Sequence, residues 1–110
     1  MIADQAGARG LVCLGYPFHP AREPGRLRTA HLATLATPTL IVQGTRDALG
    51  SRDEIETYEL SPAIRIEYLE DGDHSFRPRA SSGRTERQNL EQAIGAIDRF
   101  VDSLCLYSAE

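Results

Sequence analysis

The sequence predicts an α/β protein, a three-stranded parallel sheet flanked by helices. Two short apolar runs, LVCL (11–14) and TLIVQG (39–44), have the pattern of strands covered on both faces. A third, AIRIEYL (63–69), alternates Ile64, Ile66 and Tyr68 with Arg65 and Glu67, as a half-exposed strand near a sheet edge does. Helical spacings follow the strands, and strand–helix alternation builds a parallel sheet.

The elements follow in chain order. MIADQAGARG (1–10) reads as the tail of a helix, with Ile2, Ala3 and Ala6 apolar and Gly7 suited to a left-handed stop. No capping residue precedes it, so the chain is expected to open inside a helix. Gly15 closes the strand 11–14, and GYPFHPAREPG (15–25), with three prolines and two glycines, is a loop. RLRTAHLATLATP (26–38) sets Leu27, His31 and Leu35 at i, i+4 and i+8 beside Leu32, which predicts a short helix stopped by Pro38. SRDE (51–54) fits a capping box, Ser51 as N-cap and Glu54 reaching back, and opens a short helix towards Leu60. RPRASSGR (77–84) is an arginine-rich loop. Thr85 caps the last helix and Gln88 completes its box. Leu90, Ile94, Ile97, Val101 and Leu104 then follow spacings of 4, 3, 4 and 3, a stripe expected to face the core.

A chain of 110 residues is one domain's worth and buries something over ~60% of its unfolded surface. Its 41% hydrophobic and 25% charged residues are those of an ordinary globular protein. All 12 basic residues are scattered arginines and the net charge is −4, which excludes a nucleic-acid surface. No apolar run approaches the ~18 residues of a membrane span, and no leader pattern precedes the fold. A cytoplasmic protein with no membrane partner is expected. Cys13 and Cys105, in an apolar run and at a helix end, read as buried, inert thiols.

The chemistry is expected at the carboxyl ends of the strands, where open parallel sheets bind ligands. Asp47 lies just past the strand 39–43 and His74 just past the strand 63–69. On adjacent strands, both side chains emerge at one rim. Asp47 then accepts a hydrogen bond from one ring nitrogen of His74, and the other nitrogen is left to take a proton from a nucleophile. Taken singly, each residue is an ordinary loop group; the order and placement of the pair make the case.

TPTLIVQGTRDALGSRDEI with IRIEYLEDGDHSF resembles the last third of an α/β-hydrolase. More narrowly, RTAHLATLATPTLIVQGTRD, LSPAI, LEDGDHSFRPR, SSGRT and QNL resemble a family of small dienelactone-hydrolase-like proteins. That family also includes a testis-expressed protein and a non-catalytic subunit of a chromatin-modifying complex. The likeness runs from Gly10 to Phe100. It implies a serine hydrolase acting on esters, lactones or small acyl compounds, with no cofactor and no metal. The triad of such enzymes runs Ser, acid, His, and Asp47 and His74 match the acid and the base.

The departure is the nucleophile. No G-x-S-x-G occurs, and every serine (51, 61, 75, 81, 82, 103 and 108) follows Asp47. Cys13 precedes it, but inside an apolar strand without an elbow. The resemblance therefore implies a single partial domain over 1–110, the C-terminal portion of the fold, with Met1 inside the helix after the elbow and the N-terminal half absent. Such a piece is expected to be inactive alone. Two outcomes stay open: an enzyme part that works when completed, or a non-catalytic interaction module. In the latter, the edge of strand 11–14 would pair with a second copy, with the missing half supplied separately, or in an aggregate. A start codon internal to a longer reading frame is a third reading.

Other residues have weaker readings. His19, His31 and His74 match no familiar zinc spacing, and EDGDH lacks the glycine position and terminal Glu of a calcium loop. The arginines of FRPRASSGR either hold an anion or are solvated. Tyr16 and His19, in the YPFHP loop, either line a substrate cleft or sit over a packed Phe18.

Overall fold

The computed structural model describes residues 9–23, 25–27 and 29–108, with side chains as far as Leu104. The predicted helix tail at the N-terminus and the Cys105 thiol lie outside these residues. Strands β1 (Leu11–Leu14), β2 (Thr39–Gly44) and β3 (Ile64–Leu69) form one parallel sheet in the order β1-β2-β3. Helix α1 (Arg52–Ile55) lies between β2 and β3, and α2 (Glu86–Ser108) follows β3 after a 3₁₀ turn at Ala80–Ser82. The α/β class and the three parallel strands are as expected.

Strand side chains alternate faces, so β2 feeds two cores. Leu40 and Val42 join Leu69, Phe76 and the α2 residues Ala93, Ala96 and Phe100. Ile41, on the other face, joins Tyr16, Phe18, Leu32, Leu35 and Ile55. With both faces covered, β2 is buried along its whole length, and each large side chain so buried contributes roughly 1.5–3 kcal/mol.

β1 departs from expectation. The register sets Val12 beside Leu40 and Leu14 beside Val42, so these two side chains share the α2 face of the sheet. Yet Val12 is 37% and Leu14 59% exposed. The run reads as buried on both faces, but among the described residues α2 packs on β3 and β2.

The described residues of the segment 26–38 form turns rather than the predicted helix. The carbonyls of Leu32 and Leu35, which a helix would pair along the chain, accept bonds from the Ser61 N–H and hydroxyl instead. Leu32 and Leu35 are buried, and Thr29, Thr34 and Thr37 add poor helix propensity. The Ser51–Glu54 box of α1 is present, worth about 1 kcal/mol, but the helix is four residues long and stops well short of Leu60. Thr57 takes the Glu54 carbonyl with both its N–H and its hydroxyl, tightening the turn there.

The Thr85–Gln88 box caps α2. Its buried face, however, is Asn89, Ala93, Ala96 and Phe100, one position back from the predicted stripe. Leu90, Ile94 and Val101 are exposed, Ile94 by 67%, while Ile97 and Leu104 are partly buried against the core. Polar anchors set this rotation. Asn89 donates to the Glu70 and Phe76 carbonyls, and Gln92 to the Tyr68 carbonyl and Glu67. The alanines between them let the helix sit close to the sheet. Gln92 reaches β3 from one side of α2, and Leu104 lies against Gly10, just before β1.

Candidate active site

The turns after β2 and β3 touch at two glycines. A Cβ added to Gly44 would collide with the Gly72 carbonyl oxygen, so no other residue allows this approach without a shift. The contact is sealed by the Arg46 N–H donating to the Gly72 carbonyl at 2.9 Å and the Thr45 N–H donating to that of Leu69 at 3.1 Å. It brings the two expected rim residues together.

Asp47 is 1% exposed, and both carboxylate oxygens are engaged. Oδ1 accepts the Leu49 N–H at 2.8 Å, and Oδ2 lies 2.8 Å from Nδ1 of His74. A carboxylate only accepts, so the proton of this bond sits on Nδ1. The neutral ring then carries its lone pair on Nε2, which has no hydrogen-bond partner among the described residues. The His74 side chain is 49% exposed. Its ring lies across the end of β1, where a Cβ on Gly15 would stand 3.0 Å from Cε1 and 3.2 Å from Nδ1. Gly15 has φ 76°, a left-handed turn that glycine makes without strain. The imidazole thus leans from β3 over β2 to the open edge of the sheet.

The loop that carries His74 is held from three sides. Asp73 Oδ1 accepts the N–H groups of Ser75 and Arg77; the bond from Arg77 does most to hold its pKa below the ordinary value. Asp71 accepts from the backbone and guanidinium of Arg79 and pairs with Arg46. The Arg79 side chain, before its backbone bond, holds the Asp71 carboxyl well below the usual range. Asn89 of α2 takes the Phe76 carbonyl. Asp71 and Phe76 both have left-handed φ, 58° and 69°, a strained choice for Phe76 and one that bends the loop sharply on each side of His74.

The other loop after a strand packs inward. Phe18 is fully buried, edge-on to Tyr16 at 4.8 Å. Tyr16 directs its hydroxyl to His31, 3.2 Å away. His19 is buried with Nδ1 against the Pro20 carbonyl and Nε2 against Glu54, so neither ring nitrogen faces the rim. The loop arginines are similarly occupied: Arg77 pairs with Glu86, Arg79 with Asp71, and Arg84 binds Asn89 and Gln92. Cys13 is partly buried, and burial pushes its thiol pKa up, away from the reactive thiolate.

Sequence reasoning missed Gln43. Its amide accepts the Tyr16 N–H and donates to the carbonyls of Tyr16 and Gly50, joining the loop after β1 to the turn that holds Asp47. The signal was present: a glutamine directly after the apolar run Leu40, Ile41, Val42 of a buried strand. Asp71 had a fainter one, an acid near an arginine-rich loop.

Among the described residues, no helix is long and apolar enough to cross a membrane. No solved structure matches the chain. A family model described as an alpha/beta hydrolase domain matches residues 1–102, a span that includes all three strands, both rim turns and most of α2. With an acid after one parallel strand bonded to a histidine after the next, this match places the chain in the alpha/beta hydrolase domain family.

Proposed function

We propose that this chain carries the acid–base half of a serine-hydrolase-type site for esters, lactones or small acyl compounds. His74 is the general base and acid, and Asp47 its orienting partner. The observation that supports this best is the 2.8 Å bond between Asp47 Oδ2 and His74 Nδ1. It fixes the ring's tautomer and would stabilise the imidazolium formed when Nε2 takes a proton. The reaction also needs a nucleophile and an oxyanion hole. This sequence has no serine before Asp47 and no G-x-S-x-G, and Cys13 lies in β1. Turnover by the chain alone is therefore expected to be negligible, since losing one triad member costs several powers of ten. The purified chain should not be labelled by a fluorophosphonate probe; stoichiometric labelling would overturn the assignment.

A second reading is a non-catalytic interaction module that pairs through β1, with a second copy or with a polypeptide supplying the N-terminal half of the fold. The exposure of Val12 and Leu14 favours it, because a parallel strand is normally covered on both faces and an open edge offers unpaired backbone groups. Sedimentation over a range of concentrations separates the cases. Association that rises with concentration supports pairing between copies, and a stable dilute monomer counts against it.

A further inference from the structure

His19 is 2% exposed, and both of its ring nitrogens face acceptors. Nδ1 lies 2.8 Å from the Pro20 carbonyl oxygen, and Nε2 lies 3.1 Å from each oxygen of Glu54. Neither a carbonyl nor a carboxylate donates a proton, and a neutral imidazole has only one N–H. In either tautomer a neutral ring would aim a lone pair at an oxygen, from a side chain that is itself 3% exposed. Only the doubly protonated ring satisfies both contacts.

Glu54 is at the same time the reaching residue of the α1 capping box, accepting from the Ser51 N–H and hydroxyl. The His19–Glu54 pair therefore ties the loop after β1 to the start of α1. The His19 N–H also donates to the Leu49 carbonyl at 3.1 Å, and the Leu49 N–H holds Asp47 Oδ1. We infer that His19 keeps its imidazolium form beyond the pH at which an ordinary imidazole loses it, and acts as a pH-sensitive latch, closing the loop 15–20 onto α1 and the Asp47 turn until it loses a proton. This does not depend on the hydrolase reading.

The charges that bear on His19 are Glu54, from α1, and Asp47, from the turn after β2, and both are anionic. Its pKa is raised above 6.5, most of all by the Pro20 carbonyl; burial opposes the rise, and Glu54 and Asp47 add to it. A raised folded-state pKa means that the latch contributes its full stability below about pH 6.5 and loses it as the pH climbs through the folded-state value.

The test is a pH titration of the full-length chain with nitrogen-15 in its histidines, following both ring nitrogens of His19. At pH 6.5 an ordinary imidazole is about half deprotonated, whereas His19 is expected to be protonated on both nitrogens in most molecules. A single protonated nitrogen at that pH overturns the inference. Glu54→Gln keeps a capping side chain but removes the charge, so the His19 midpoint should fall by about one pH unit, a ten-fold change in proton affinity. An unmoved midpoint would remove Glu54 from the latch and overturn it as drawn. The urea midpoint of His19→Gln should lie below that of the wild type at pH 6 and approach it by pH 9; a gap independent of pH speaks for packing alone. If that variant does not fold, the wild-type titration still decides.

Discussion

The carboxyl rim of the sheet and its β1 flank are neighbours with opposite construction. At the rim, buried Asp47, Gln43 and His19 are each tied by side-chain bonds to backbone, and no buried side-chain nitrogen or oxygen among the described residues lacks a partner. On the flank, Val12 and Leu14 of β1 stand exposed, as do Leu90, Ile94 and Val101 of α2. Directional bonds close the rim from within this chain. The flank, whose apolar side chains have no opposing layer among the described residues, gains nothing until something covers it. The rim geometry therefore holds without a neighbour, whereas burying the flank would require one.

The largest effect that would break this comparison is a pair of truncations. Leu69→Ala, in the core beneath α2, should cost about 2–5 kcal/mol. Ile94→Ala, on the exposed stripe, should stay within about 0.5 kcal/mol. Urea midpoints of the two variants at one protein concentration check this. Equal costs would mean that the stripe is covered in solution and that the contrast between the regions is false.

Gln43→Ala sharpens the rim side. It leaves the Tyr16 N–H and the Tyr16 and Gly50 carbonyls without the amide that serves them, and an orphaned buried polar group costs about 1–3 kcal/mol. Hydrogen exchange should rise first at the Tyr16 amide and in the Asp47 turn. A uniform rise across the sheet would instead mean that Gln43 only fills space.

The same contrast separates what the sequence disclosed from what it hid. The strands, both capping boxes and the meeting of Asp47 with His74 were legible because each rests on local pattern and chain order. Residues 26–38 misled because helical spacing of Leu27, His31 and Leu35 says nothing of Ser61, distant in sequence, which takes the carbonyls. The α2 stripe misled for a related reason. Its spacing is helical, but the rotation was set by Asn89 and Gln92 binding loop carbonyls, and polar anchors do not register in an apolar period. LVCL read as doubly buried because a run of four apolar residues carries no record of what lies above it.

The smallest effect concerns the clamp behind His74. Asp71 is held by Arg79 and Arg46 well below the ordinary carboxyl pKa of 3.8. A folded-state value below the unfolded one stabilises above pH 3.8 and is lost as the pH falls from there towards the folded-state value. Asp73, lowered by its Arg77 backbone bond, acts in the same direction. Because the Arg79 side chain is 62% exposed, water and salt screen the pair, and its contribution is modest. Asp71→Asn should therefore flatten, without abolishing, the fall in urea midpoint below pH 4, and leave the slope between pH 6 and 8 unchanged. An acid slope identical to that of the wild type would show that the arginines shape the loop by geometry alone.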